Sequence, residues 1–327
     1  HTEWWAQCLF AHGIQNVNID QQTGTPISNL NPQASWSKPR VTWNLIDSAV
    51  RRIRGLLLQR NAEVDIRATT DDEDDIQAAQ LADRICDWAY QYHRFAEIET
   101  ECADWMAKVG VGVLTAFWDP QAGEDVPLPD GSVTKTGMPV AGCDSPLKWL
   151  WDPRATRYVD VQWAMRVTNQ TEEFLMLRFP ERAEEIKIRA RSLSYSNSWE
   201  YALLSTSRIT RAGDNLQNLK DKGAVRMFEF FEKPINLENP GRIIVAIGSG
   251  EQPDLILGEG PNVYGCIPAI PISLSPVSGR LLGETPIKYL LSPQRELNRR
   301  RTQIIRNCDL LGSPIGLAPS SFDMRQL

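Results

Sequence analysis

Five consecutive acidic residues are the first feature of the chain that could carry chemistry. Asp71, Asp72, Glu73, Asp74 and Asp75 could bind a divalent cation, because hard cations prefer clustered carboxylate oxygens. Such a site would suit a carboxylate- and metal-dependent nuclease. The run lacks the spaced oxygens and the glycine of an EF-hand loop, and no second acidic cluster has suitable spacing. Acids in a first turn also stabilise a helix N-terminus, so we favour a helix start and keep the nuclease as an alternative.

Residues that could act as nucleophile or base are sparse. The chain has three histidines, His1, His12 and His93, and no serine in a G-x-S-x-G turn. Its six cysteines have no C-x-x-C spacing, so we expect reduced thiols. We therefore expect no catalytic residue, no cofactor and no bound metal, and a protein that is not an enzyme.

An arginine-rich helix late in the chain is the main basic feature. From Thr285 or Pro286 onward, apolar residues recur on one helical stripe and arginines crowd the other positions. The apolar residues are Ile287, Leu290, Leu291, Leu297, Ile304 and Ile305, and the arginines are Arg295, Arg299, Arg300, Arg301 and Arg306. Guanidinium groups bind both phosphates and carboxylates. The sequence favours a solvated face or a subunit contact, and a contact with nucleic-acid phosphates stays open.

The overall composition describes a folded protein that does not grip nucleic acid. The 327 residues are 42% hydrophobic and 23% charged, which is enough for one or two buried cores. The formal net charge is -6, whereas proteins that hold phosphate backbones carry a net basic surface. Eleven tryptophans, among them Trp4, Trp5, Trp149 and Trp151, could form a stacking platform for sugars or bases. We favour packing, because large rings dominate cores and interfaces.

Hydrophobic periodicity predicts the secondary structure. Helical spacing of apolar residues favours helices over 43–57, 76–92, 98–110 and 171–179, and again from 285 onward. Alternating or short apolar runs favour strands over 63–68, 113–118 and 159–167, with a hairpin tip at 129–132. Four later runs, at 225–231, 243–247, 254–257 and 267–274, read as one antiparallel set. Prolines 268, 271 and 276 put the last of them at a sheet edge.

These elements define an α+β fold in which long amphipathic helices pack with short, mostly antiparallel strands. We expect four regions: a helical and β region over 1–191, an irregular connection over 192–221, a β-rich subdomain over 222–282, and a helix with the following segment over 283–327. The connection is rich in Ser, Asn, Asp and Thr and has weak periodicity, which makes it the best internal boundary.

Five short segments occur in a characteristic order. The first is K-P-R-V-T-W-N-L-I at 38–46, and the second is Q-R-N at 59–61 with the alternating run at 63–68. A helix pair over 78–117 ends in Gly110-Val111-Gly112 and apolar residues, and W-D-P follows at 151–153. The last segment, 283–307, contains Gln294, Glu296, Leu297 and Asn298. Together these segments resemble the portal proteins of tailed bacteriophages, particularly those of short-tailed phages, over most of the chain.

The resemblance implies a function. Portal proteins form a non-enzymatic ring, usually dodecameric, at one capsid vertex, and a separate terminase drives double-stranded DNA through it. The implied partners are other copies of the chain, terminase, the major capsid and scaffolding proteins, a tail adaptor protein and the passing DNA. The implied location is the virion, after assembly in the host cytoplasm, with no membrane involved. In this family Arg295, Arg299, Arg300 and Arg306 would lie at the DNA channel or at a subunit contact.

The resemblance also implies which part of a portal protein the chain contains. It corresponds to the wing and the start of the stem helix, so we expect the clip, the paired channel helices and the C-terminal barrel to be wholly or partly missing. A different virion or cell-surface assembly module, such as a tail adaptor or a Trp-rich glycan binder, is a second alternative. A ring with an open bore would separate the portal from a glycan binder.

Overall fold

The structure is a computed structural model that describes residues 2–15, 17–19, 26–28, 41–59, 64–120, 122–127, 133–192, 224–236, 239–248 and 253–312. The helices in these ranges are α1 (Thr2–Ala11), α2 (Leu45–Leu57), α3 (Glu73–Tyr92), α4 (Phe95–Val109), α5 (Glu172–Arg178), α6 (Ala183–Ser192) and α7 (Ile287–Gly312). The strands are β1 (Val17–Ile19), β2 (Pro26–Ser28), β3 (Val111–Asp119), β4 (Asp125–Pro127), β5 (Val133–Lys135), β6 (Met138–Asp144), β7 (Trp149–Trp151), β8 (Trp163–Thr171), β9 (Ala224–Glu232), β10 (Arg242–Gly248), β11 (Leu255–Pro261) and β12 (Ala269–Ser273).

A helical layer of α1, α2, α4 and α7 forms one core. Each of the four helices contributes at least one buried residue to this core. These residues are Phe10, Ile46, Val50, Ala107 and Ile287. The helix α2 begins at Leu45, two residues after the predicted start at 43, because the Asn44 side chain accepts a hydrogen bond from the Asp47 backbone N–H at 3.2 Å and caps the helix.

The helices α3 and α4 form a hairpin that leads into the first sheet. Helix α4 ends at Gly110, whose φ of 91° favours glycine. A side chain at Gly110 would collide with the backbone of Glu284 and Thr285, so this glycine lets α7 begin directly against the end of α4.

Two antiparallel sheets share the second core. The three-stranded sheet has the order β12-β3-β6, and the five-stranded sheet has the order β11-β10-β9-β8-β7. Their facing sides bury Val113, Trp149, Ala164, Phe231 and Ala269, which belong to one cluster. A smaller cluster lies on the five-stranded sheet, where α5 and α6 contribute Leu175 and Ile186. The α+β class predicted from the sequence is confirmed.

Most predicted elements are present, with several corrections. The strand predicted at 63–68 is wrong over 64–68, because this segment pairs with no strand among the described residues. The strand predicted over 159–167 begins only at Trp163, after a short 3-10 turn. The four later strands do not form one set, since β12 pairs with β3 in the other sheet.

Other predictions fall partly outside the described residues. The hairpin tip at 129–132 lies outside them, although its flanking strands β4 and β5 do pair antiparallel. Almost all of the connection at 192–221 also lies outside them. The five-stranded sheet combines strands from both sides of that connection, β7 and β8 before it and β9 to β11 after it. The division of the chain into four regions stays a prediction.

Among the described helices, none is long and apolar enough to cross a bilayer.

Candidate functional site

The arginine-rich helix α7 is fixed at its start by a buried threonine. Thr285 is 1% exposed, and its hydroxyl donates to the Ala107 carbonyl at 2.7 Å and accepts from the Ile287 N–H at 3.3 Å. The helix then runs for 26 residues, with Pro293 inside it. At a rise of about 1.5 Å per residue this is roughly 39 Å, long enough to display side chains along a channel or a subunit contact.

Two buried amides join α7 to the segment that precedes α2. The Trp43 backbone N–H donates to Asn298 Oδ1 at 3.0 Å, and the Leu45 N–H donates to Gln294 Oε1 at 3.3 Å. Gln294 Nε2 donates in turn to the Trp43 carbonyl. The amide pair therefore binds the backbone of this segment much as a neighbouring strand would, and it fixes the rotation of α7 about its own axis.

Two further amides extend this contact to α1. Asn298 Nδ2 donates to Gln15 Oε1, and Gln15 Nε2 donates to Asn44 Oδ1 at 2.9 Å. Asn44 Nδ2 donates in turn to the Ala11 carbonyl at 2.9 Å. We call Gln15, Asn44, Gln294 and Asn298 the amide network. Each of the four uses both its oxygen and its nitrogen, which is what a polar group in a core requires.

The predicted arginines have different surroundings. The Arg295 guanidinium lies over the Phe10 ring, 5.0 Å from its centroid, and Arg300 pairs with Glu296 at 2.6 Å. Arg299 is exposed, and within the described part of the chain it has no ion pair. Arg306 is half-buried, and its Nε has no hydrogen-bond partner among the described residues. Arg301 was not predicted to lie at the channel or at a subunit contact. Its guanidinium lies 3.3 Å from the centroid of the Trp43 ring.

The four predicted arginines do not share one face. At about 100° per residue, Arg295, Arg299 and Arg306 fall within roughly 40° of one another, whereas Arg300 points to another side of the helix. We call Arg295, Arg299 and Arg306 the arginine flank. Arg295 is held against Phe10, so Arg299 is the member best placed to reach a phosphate or a carboxylate outside the subunit.

The predicted apolar stripe of α7 also divides into two. Ile287 is fully buried and Leu291 packs against the helical core, but Leu290 is 40% and Ile304 is 60% exposed. The single stripe expected from the sequence is therefore wrong. Gln294 and Asn298 occupy buried positions between Leu291 and Ile305. About half of the apolar residues therefore face a different side of α7.

The amide network was missed by sequence reasoning, although a signal was present. Gln294 and Asn298 stand four residues apart and continue the helical face that begins at Ile287 and Leu291. Amides at core positions of an amphipathic helix indicate a buried polar contact, but they do not reveal its partner. Both residues belong to the segment that carried the resemblance to portal proteins, and Asn44 belongs to the first such segment.

The acidic run has no geometry of a metal site. Asp71 to Asp75 are all exposed, and the Asp75 carboxylate accepts from the Thr70 hydroxyl at the start of α3. No group of three or more metal-ligating side chains occurs within the described ranges. The tryptophan platform is not open either, because Trp149 is fully buried and stacks on Trp151 with centroids 5.4 Å apart.

One buried ion cluster supports the five-stranded sheet. Arg166 on β8 pairs with Asp144 at 2.7 Å and with Glu229 at 3.2 Å, and its guanidinium lies 4.9 Å from the Phe117 centroid. Burial alone would lower the pKa of Arg166, but the two carboxylates outweigh it and the pKa is raised. The cluster is fully paired, so it has a structural role.

A family model described as Phage P22-like portal protein matches residues 10–240. The chain therefore belongs to the P22-like portal protein family, and its role in the phage is structural. The match includes Gln15 and Asn44, whereas Gln294 and Asn298 lie beyond its end. A search of curated proteins found no match for the chain.

Proposed function

We propose that the chain is one subunit of a dodecameric portal ring at a single capsid vertex, through which double-stranded DNA is packaged and later ejected. The ring is also the docking site for terminase and for a tail adaptor protein, and it is built with the capsid and scaffolding proteins. Its place is the virion, and terminase supplies the chemical energy, so the chain itself catalyses no reaction. The observation that carries the proposal is the family match over residues 10–240.

The charge distribution supports a conduit. A net charge of -6 repels the DNA backbone over most of the surface, and accumulated phosphate contacts would make the cargo stick in a salt-dependent way. The arginine flank offers a few localised positive charges on a helix whose rotation the amide network fixes. Such sparse contacts can guide a moving duplex without holding it.

The arginine flank has a second interpretation, a contact between subunits. Arg299 is exposed and could bind a carboxylate of a neighbouring copy as well as a phosphate. The two roles differ in their consequences, because a channel residue changes DNA passage while a subunit-contact residue changes assembly.

Electron microscopy of the full-length protein tests the ring. We expect top views with rotational symmetry and a central hole wide enough for duplex DNA. Monomers or closed dimers that persist at high protein concentration would contradict the proposal.

Charge reversal then separates the roles of the flank. Arg299→Glu in intact rings should lower the amount of DNA packaged or retained if the residue lines the bore. Arg182→Glu is the matched control, since its exposed side chain lies outside α7 and pairs with Glu185. Unchanged DNA content together with altered ring assembly would instead place Arg299 at a subunit contact.

A further inference from the structure

Helix α3 has an apolar stripe on the side that faces away from its own subunit. Tyr90 marks the inner side, since its hydroxyl donates to Glu99 of α4 at 3.0 Å and its ring lies 5.4 Å from Phe95. On the opposite side, Leu81, Ile85, Trp88 and Tyr92 are 60%, 55%, 51% and 54% exposed. No residue of α3 is buried. A helix that is apolar on both sides is typical of one that is covered on both sides.

The stripe has the form of a helix-packing surface. Its spacing of four, three and four residues repeats as a coiled-coil seam does, and Trp88 stacks on Tyr92 with centroids 4.9 Å apart. A large side chain buries roughly 200 Å² when it is covered, so four that are half covered leave on the order of 400 Å² of apolar surface. This is the size of the functional patches found on soluble proteins.

Helix α7 has a matching stripe of its own. Leu290, Leu297, Ile304 and Leu311 recur every seven residues, and Leu290, Ile304 and Leu311 are 40%, 60% and 86% exposed. At about 100° per residue this stripe lies roughly opposite the arginine flank and beside the face that carries the amide network. A partner on this stripe would therefore leave the arginine flank free.

The two helices carry opposite charges. Helix α3 has five acids and one arginine, a net charge of -4, and its exposed acids include Asp74 and Asp87. Helix α7 has six basic residues and two acids, a net charge of +4, and its exposed Arg300 lies beside the stripe. Complementary charge around two apolar stripes favours pairing between these helices and opposes pairing of either helix with itself.

We propose that α3 of one subunit docks on α7 of the next copy of the chain, stripe against stripe. This inference rests on the proposed ring and names one of its contacts. Within one subunit α3 packs on α4 while α7 packs on α1 and α2, and both stripes stay exposed. Two different surfaces that meet between copies form a heterologous contact, the kind that repeats from subunit to subunit and gives a ring when the rotation closes.

The area agrees with a contact that is one part of a larger interface. Two stripes of on the order of 400 Å² each bury somewhat less than the roughly 1,200 Å² of the smallest specific interfaces. Trp88 and Tyr92 are residue types that dominate binding energy when they fill a partner surface. The stacked pair is therefore the expected centre of the contact.

A charged residue placed in the stripe tests the contact. In the full-length chain we expect Ile85→Asp and Ile304→Asp each to shift the particle mass from rings to monomers, measured by mass photometry. Both positions are more than half exposed, so the variants should keep the wild-type circular dichroism spectrum, which shows that the monomers stay folded. Leu177→Asp is the matched control, since Leu177 is 84% exposed on α5 and outside both stripes, and this variant should form rings.

The outcomes separate this inference from the ring itself. If wild-type protein forms no ring, the proposed function fails whatever the variants do. If wild-type and both stripe variants form equal amounts of ring, the ring stands and the α3–α7 contact is wrong. Normal rings of Ile85→Asp that no longer enter capsids would also overturn the contact, because another virion protein would then cover α3.

Cross-linking tests the pairing of the two stripes. In a background without the cysteines at 86, 266 and 308, Ile85→Cys and Ile304→Cys chains are mixed, assembled and oxidised. A cross-linked dimer should form in the mixture and not with either variant alone. Dimers of Ile85→Cys alone would show α3 paired with α3 and would overturn the proposal, as would assembled rings without any cross-link.

Discussion

The backbone N–H of Trp43 donates a hydrogen bond to Asn298 Oδ1 at 3.0 Å, although the two residues are 255 positions apart. This bond joins a side chain of α7 to the backbone of the segment that precedes α2. The bond belongs to a network in which four amides satisfy one another and the ends of α1 and α2. The position of the arginine flank therefore depends on residues that carry no charge.

We expect Asn298→Ala to destabilise the protein by about 1–3 kcal/mol, because it leaves the buried Gln15 oxygen and the partly buried Trp43 N–H without this partner. Gln303→Ala is the matched control, since Gln303 is exposed on the same helix. Urea denaturation followed by tryptophan fluorescence measures both variants. Equal stability of the two would mean that the network contributes nothing.

The glycines give a pair of opposite predictions. Gly110→Ala should lower the free energy of unfolding by more than about 1 kcal/mol, because φ is 91° and the new methyl group would collide with the backbone of Glu284. Gly55→Ala should raise it by about 0.5–1 kcal/mol, since Gly55 lies inside α2 with open space around it. Thermal unfolding of both variants checks the signs, and two changes in the same direction would contradict the structure.

Burial raises the pKa of the Cys8 thiol from 9.0 to about 12, and Cys8 is 0% exposed. We expect iodoacetamide at pH 8 to label the exposed Cys266 and Cys308 and to spare Cys8 until the protein unfolds. Peptide mass spectrometry with and without urea measures the labelling. Rapid labelling of Cys8 in the folded protein would contradict its burial.

The same thiol makes stability depend on pH. Because the pKa is raised in the folded state, the contribution of Cys8 is present in full below pH 9.0 and is lost as pH rises toward 12. Cys8→Ala should therefore flatten the fall of stability over this alkaline range relative to the wild type, as measured by urea denaturation at several pH values. If Cys8→Ala and the wild type lost stability equally with rising pH, the raised pKa of Cys8 would be contradicted.

Arg166→Met should destabilise the protein by about 3 kcal/mol, because it removes the closest cation of Asp144 and Glu229 and leaves them only the longer pairs with Lys148 at 4.0 Å and Arg178 at 3.8 Å. Adding Asp144→Asn should recover part of the loss, since it removes the charge of one of the two carboxylates that have lost their closest cation. Urea denaturation of the single and double variants measures the recovery. A double variant that is less stable than Arg166→Met would contradict this account of the cluster.

The sequence predicted the helices better than it predicted their partners. The start of α5 follows from Thr171, whose side chain caps the helix, whereas α2 was predicted from 43 and begins at Leu45 because Asn44 caps it. The strand expected at 63–68 is wrong because alternation indicates a half-buried surface but cannot supply the neighbouring strand. The same limit explains β12, whose composition placed it at an edge while its partner β3 lies more than 150 residues earlier.

The candidate site was predicted only in part. The arginines of α7 were visible as charges, but their surroundings depend on Phe10, Glu296 and Trp43, which the fold brings to them. The division of the apolar residues into a buried face and an exposed stripe depends on Gln294 and Asn298, whose partners lie about 250 residues away. Periodicity locates an amphipathic helix but does not show which of its apolar sides is buried in the subunit.

The amide network also constrains the order of events during synthesis. Gln15 and Asn44 leave the ribosome long before Asn298 exists, so the nascent chain holds the start of α2 without its partners. Contacts that span so much sequence form slowly, and incomplete chains expose surface that favours aggregation. The helical layer can therefore close only after translation has passed residue 298, which links the appearance of assembly-ready subunits to completion of α7.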